Sequence, residues 1–101
     1  MTAYERRIYR GDDEIGNVYY DSCAACRYVL LSEIGLVEIA HRRGIGTRVL
    51  AQLRAELPGY YWAITPEKRS SKPFWNRMRT IYPGEYGMGD PRVLQCLHRL
   101  R

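Results

Sequence analysis

The amino-acid sequence predicts one α/β (α+β) domain built on a mixed sheet, and three observations lead there. Residues 27–39 are rich in Val, Leu and Ile, the composition of a buried, central strand. From Gly44 the period of the apolar residues changes: Val49, Leu50, Leu53 and Leu57 fall at helical spacing, while Arg48, Gln52, Arg54 and Glu56 are polar. A second strand-and-helix unit then follows, an apolar run at residues 60–64 and a short helix over about residues 73–79. Several strands, then helix, strand, short helix and a last strand, all within 101 residues, make one small domain.

Taken in order, residues 6–9 form a short first strand, and Gly11-Asp12-Asp13 supply turn residues. Residues 15–20 form the second strand, with Val18 and Tyr20 alternating against Tyr19. Asp21-Ser22 marks a break before the long apolar run. Gly35 interrupts that run, the mark of a bulge or a close backbone approach. Pro58-Gly59 ends the helix that Gly44 opens. Residues 66–72 are a polar loop in which Ser71 is placed to cap the next helix, and Pro73 sits early in it, where a missing N–H is harmless. Residues 82–90 form a glycine-bearing loop, and residues 93–100 alternate well enough for a last strand.

The net charge of +5 suits a polyanionic partner, either a phosphate-rich cofactor or nucleic acid. The longest apolar stretch, residues 60–64, is far short of the ~20 residues a membrane helix needs. The first residues lack the apolar core of a signal peptide, so the expected location is the cytoplasm, with no membrane partner. Cys23, Cys26 and Cys96 are an odd number and suggest no disulfide framework. Cys23-Ala24-Ala25-Cys26 with Cys96-Leu97-His98 offers four ligands of the kind zinc takes. One C-x-x-C with one C-x-H is below the specificity of a zinc signature, so no metal is assigned.

The informative stretch is Leu36-Val37-Glu38-Ile39-Ala40-His41-Arg42-Arg43-Gly44-Ile45-Gly46-Thr47. A buried strand runs into a basic loop with two glycines, and the loop opens an amphipathic helix. The first N–H groups of a helix have no internal partners, and the helix dipole favours negative charge beside them. Gly44 and Gly46 remove Cβ atoms that would hold a phosphate away, and Arg42 and Arg43 add charge. The loop lacks the Gly-Lys-Ser/Thr of a nucleotide P-loop and the third glycine of a dinucleotide fingerprint.

His41-Arg42-Arg43-Gly44-Ile45-Gly46 resembles the cofactor motif of the GNAT superfamily of acyl-CoA N-acyltransferases, Gln/Arg-x-x-Gly-x-Gly/Ala, with His41 in place of the usual Gln or Arg. Leu36-Val37-Glu38 occupies the place of that family's bulged strand, residues 60–64 the next strand, and Phe74-Trp75-Asn76-Arg77-Met78 its Phe-Tyr-x-Lys-x helix segment. The resemblance spans about residues 33 to 80. It implies a mixed, mainly antiparallel sheet, a central helix after the bulged strand and one short C-terminal helix. It also implies acetyl-CoA as co-substrate, held by Leu36, Val37, Glu38, His41, Arg42, Arg43, Gly44, Ile45, Gly46 and Thr47, and an acyl group passed to an amine on a small molecule or a macromolecule. Glu33 or Glu38 is then the general base, with Glu33 preferred, and Tyr82 or Tyr86 the general acid. Trp75 stands where many members carry an acidic tyrosine, and it packs on the cofactor or on the core.

Only about 35 residues precede the motif strand, so the family's two front helices are missing or vestigial, and the sheet edge they leave suits a second copy of the chain, a homodimer. Two other readings remain. One is an acyl-CoA-binding module without turnover. The other is a nucleic-acid module built on Lys68, Arg69, Lys72, Arg77 and Arg79 with Phe74 and Trp75 interleaved.

Overall fold

Gly11 and Asp12 turn the first hairpin. Strand β1 (Thr2–Arg10) pairs antiparallel with β2 (Asp13–Cys23) from Arg10↔Asp13 outward, and Gly11 supplies the left-handed residue such a two-residue loop needs, at φ 61°. The computed structural model describes residues 2–36, 44–65 and 69–88.

Strand β2 does not break at Asp21-Ser22. Asp21 pairs with Ala3 on one side and Leu30 on the other, and Ser22 with Thr2 and Val29. Neighbours on both edges override the turn preference of two short polar residues. The chain turns instead at residues 24–27, where Arg27 takes φ 57°, and returns as β3 (Tyr28–Leu36). The C-x-x-C pair therefore brackets a hairpin turn: Cys23 is buried at the end of β2, and the Cys26 N–H lies 3.4 Å from its Sγ. Among the described residues no group of three or more His, Cys, Asp or Glu converges, and Cys96 and His98 lie outside them.

Beyond β3 come helix α1 (Ile45–Glu56), β4 (Tyr61–Ile64), a 3-10 turn (Arg69–Ser71), helix α2 (Lys72–Ile81) and β5 (Gly87–Met88). The sheet runs β1-β2-β3-β4-β5 in sequence order, with β1-β2 and β2-β3 antiparallel and long, β3-β4 and β4-β5 parallel and short. Ser71 stands at the N-cap of α2 without a side-chain cap bond, and Pro73 lies in the first turn. Strand β5 lies in the segment the sequence marks only as a loop, because two residues are too short to show a period. Residues 93–100 lie outside the described residues. No described helix is long and apolar enough to cross a membrane.

Both helices cover the same face of the sheet, and Gly46 of α1 touches Phe74 of α2. The core beneath them joins Val18, Val29 and Leu31 of the sheet to Leu50 and Leu53 of α1, Met78 of α2 and Trp62 of β4. Leu50 and Leu53 lie on the apolar stripe that the helical spacing marks.

Candidate functional site

Strands β3 and β4 form a fork. Among the described residues they pair from Tyr28↔Tyr61 to Leu31↔Ile64 and no further. Thr65 closes the paired section: its N–H donates to the Leu31 carbonyl at 2.9 Å and its hydroxyl to the Ser32 carbonyl at 3.1 Å. Beyond that point β3 continues through Glu33 to Leu36 with β2 as its one partner among the described residues. The register between β2 and β3 shifts at Tyr19/Tyr20, where Tyr19 faces Glu33 and Tyr20 faces Leu31. Ser32 is therefore the extra residue of a bulge at the crotch of the fork.

The bulge thus lies four residues before Leu36, where the stretch likened to the family's bulged strand begins, and not at Gly35. The close approach of the two backbones depends on Gly16, on the facing strand: a Cβ there would lie 2.1 Å from the Gly35 carbonyl oxygen, whereas a Cβ at Gly35 would meet only the Asn17 side-chain oxygen at 2.9 Å. Glu33 follows the bulge directly, on an exposed stretch of β3.

The start of α1 lies at the same end of the sheet. Ile45 and Val49 pack with Leu36 against Ile8 and Ile15, and Gly46 lies against Phe74 in the first turn of α2. Gly44 is the N-cap at φ 71°, it has no side chain with which to cap, and the first turn carries no acidic residue. Helix α1 therefore presents the N–H groups of its first turn and the positive end of its dipole near the carboxyl ends of two parallel strands, the usual location of anionic ligands in open sheets. The two glycines divide the work. Gly44 has open space around a would-be Cβ and a left-handed backbone, whereas a Cβ at Gly46 would meet the Phe74 ring at 2.9 Å. Gly46 is thus a helix-packing glycine in this structure. Ile45 and Thr47 are half-buried beside it. Val37, Glu38, His41, Arg42 and Arg43 lie outside the described residues.

The remaining site candidates lie elsewhere. Trp75 is 7% exposed and packs on Phe74, at 4.9 Å between ring centroids, and on Tyr86, at 5.5 Å. Of the two places the sequence allows it, the structure puts it in the core. Phe74 is half-buried against Gly46. Tyr86 is 0% exposed at φ 61°. Its N–H donates to the Trp62 carbonyl at 2.7 Å, and its own carbonyl accepts from Arg79 Nε at 3.0 Å. Trp62 pairs with Val29, four residues before Glu33, so Tyr86 and Glu33 are separated by about 15 Å of sheet. The structure does not bring them together.

Arg54 is the residue that sequence reasoning leaves unmarked. It donates to Glu85 at 2.5 Å and to the Tyr86 hydroxyl at 3.2 Å, and its guanidinium stacks 3.9 Å from the centre of the Tyr82 ring. Its only sequence signal is a polar residue beside the apolar stripe of α1. The two tyrosines proposed from the sequence as acids thus form an aromatic cage around a cation, at the end of β4 away from the fork.

Burial pushes the Tyr86 phenol up to about 12, against a smaller lowering by Arg54. Because the folded state holds this proton more tightly than the unfolded chain, stability is full below the unfolded value near 10 and is lost as pH rises through 12. Denaturation of wild type and Tyr86→Phe across pH 9 to 12 is expected to show an excess loss in the wild type of roughly 2 kcal/mol. Equal losses would mean that the phenol is not held in this way.

No family sequence model matches the chain, and no curated protein matches it by sequence. Two solved structures do match it in three dimensions. The crystal structure of Tetrahymena GCN5 superposes with a TM-score of 0.60 at 12% identity over 74% of this chain and 49% of that one. A GNAT-family putative acetyltransferase from Bacteroides thetaiotaomicron superposes with a TM-score of 0.55 at 17% identity over 78% of this chain and 45% of that one. The chain thus spans about half the length of these acetyltransferase chains. At such identities the likeness is one of fold, and the fold of this chain is that of the GNAT acetyltransferases.

Proposed function

We propose that the chain transfers an acyl group, acetyl in the first instance, from acyl-CoA to an amine. The observation that carries this reading is the fork: β3 and β4 part at Leu31/Ile64, on the side where α1 begins at an uncapped Gly44. The residues suit the cofactor. Its pyrophosphate would meet the first-turn N–H groups at Ile45, Gly46 and Thr47, with Arg42 and Arg43 of the preceding loop adding charge. Its amide-bearing arm would run along the peptide edge of β3 that β4 leaves, from Glu33 towards Leu36, as an added strand does, and Val37 and Glu38 follow next in the sequence.

The amine attacks the thioester carbonyl carbon as its neutral form, and the C–S bond breaks as the C–N bond forms. Glu33, directly after the bulge, takes the amine proton, through a water where the acceptor stands off. A backbone N–H on β3 beyond the bulge stabilises the carbonyl oxygen as charge builds there. The departing thiolate is a tolerable leaving group and takes its proton from solvent, so no tyrosine is required at the Trp75 position.

Thermal unfolding with acetyl-CoA tests the cofactor. At 100-fold its Kd the ligand is expected to stabilise the fold by about 2.7 kcal/mol, with dephospho-CoA and adenosine as weaker comparators. Amide shifts at Gly44 to Thr47 should accompany the stabilisation. No stabilisation by any acyl-CoA would overturn the proposal.

A further inference from the structure

Strand β1 is the long edge of the sheet. It runs nine residues, and among the described residues its outer side has no strand partner, whereas the opposite edge, β5, is two residues long. An exposed edge of that length is a template for another strand unless its side chains forbid the pairing. Three registers pair seven or more residues of Thr2–Arg10 with a second copy, and the side chains select one of them.

We propose that β1 pairs antiparallel with β1 of a second copy about a two-fold axis through Arg6, joining the two sheets into one. A two-fold axis perpendicular to the sheet keeps the helices of both copies on one face and requires that a residue lie on the axis. Centring on Glu5 sets Glu5 opposite Glu5 of the partner subunit. Centring on Arg7 sets Arg7 opposite Arg7 of the partner subunit and Ile8 opposite Arg6 of the partner subunit.

Centring on Arg6 sets Glu5 opposite Arg7 of the partner subunit and Tyr4 opposite Ile8 of the partner subunit, and each pair occurs twice. Opposite charges then meet on the face away from the helices, and apolar side chains meet on the helix face. Tyr4 already lies on the helix face, stacked 5.2 Å from Tyr20 and 44% exposed on its outer side. The remaining like-charge pair on the axis is muted, because Arg6 is bound by Glu56 at 2.8 Å in each copy. Glu5 accepts from the Tyr19 hydroxyl at 2.8 Å, so its carboxylate is held on the face where Arg7 of the partner subunit arrives.

Light scattering on the eluting wild-type protein is expected to give twice the 11.8 kDa chain mass. Glu5→Arg and Arg7→Glu, each alone, place like charges opposite one another twice and should weaken self-association about tenfold or more. The double exchange Glu5→Arg with Arg7→Glu restores opposite charges across the axis, and self-association should return to near the wild-type level. It still lacks the bonds of Glu5 to Tyr19 and of Arg7 to Glu14, so a rescue reports on the contact between copies and not on the monomer. Arg6→Cys should form a covalent dimer under mild oxidation, since opposed residues in adjacent antiparallel strands lie within disulfide reach. Circular dichroism melts confirm that each variant is folded. A folded monomer at about 0.5 mM overturns the proposal, since even Kd values of tens of micromolar would fill the dimer there. So does a dimer indifferent to the single exchanges, or one that the double exchange fails to rescue.

Discussion

Glu33→Gln is expected to lower the turnover of acetyl-CoA with an accepted amine by about 10²-fold or more at pH 7, the range general base catalysis supplies. The change leaves the shape of the side chain intact and removes only its ability to take a proton. Glu33 is exposed, so the variant should unfold within a few degrees of wild type. The position of the residue carries the expectation. The bulge at Ser32 sets Glu33 directly after the point where β4 stops pairing, beside the peptide edge on which the thioester would lie. The acceptor amine must lose a proton before it can attack, and at neutral pH an alkylamine is mostly protonated. As pH rises towards 10 the amine is neutral without help, and the rate of the Gln variant should climb towards that of the wild type. Release of free thiol from acetyl-CoA, followed across pH 6 to 10 in both proteins, measures this. An unchanged kcat at pH 7 would remove Glu33 from the mechanism and turn attention to Glu38.

The second large effect is structural and concerns the floor of the same fork. Gly16→Ala should cost about 3 kcal/mol or more, at the upper end of what overpacking does. The added methyl would lie 2.1 Å from the carbonyl oxygen of Gly35 and 3.0 Å from Leu36. The first of these is backbone, pinned by pairing of β3 with β2, so relief requires separating the two strands where the fork opens. Gly35→Ala is the matched control. There the nearest atom is the Asn17 side-chain oxygen at 2.9 Å, which can rotate away, and the expected cost is under about 1 kcal/mol. Urea denaturation of the three proteins compares them directly, and equal midpoints for Gly16→Ala and wild type would mean the strands are not so closely apposed. Affinity for acetyl-CoA in the Gly16→Ala protein, measured below its unfolding transition, should fall as well, because the displaced strand is the one that lines the fork.

These two glycines show how far the pattern of residues reaches. An isolated glycine in an apolar run signals either a bulge or a close approach, and nothing local distinguishes the two. The glycine that the close approach requires is Gly16, on the strand facing Gly35, and the bulge fell at Ser32, which carries no local mark because a bulge is a property of two strands in register. The same holds for Asp21-Ser22, turn-forming by composition yet held as strand by partners on both β1 and β3. Arg54 is similar. A cation beside an apolar stripe reads as solvated until Tyr82, Tyr86 and Glu85, some thirty positions later, fold back over it.

What the sequence determined by itself was periodic or conformational. The period of α1, the run of β3, the stop at Pro58-Gly59, the early Pro73 of α2 and the turn at Gly11-Asp12 depend on interactions within a few residues. The mixed sheet and its likeness to acyltransferases were legible too, because a strand, a glycine-bearing loop and a helix occur in one unbroken stretch. What only the tertiary structure decided was placement across strands: which residue bulges, where β3 and β4 part, that Gly46 serves Phe74, and that Trp75 and Tyr86 belong to the core. The physical reason is that burial and register arise from pairs of segments far apart in the chain. A residue type constrains its own backbone strongly, but it specifies its distant neighbour only through the packing of the whole.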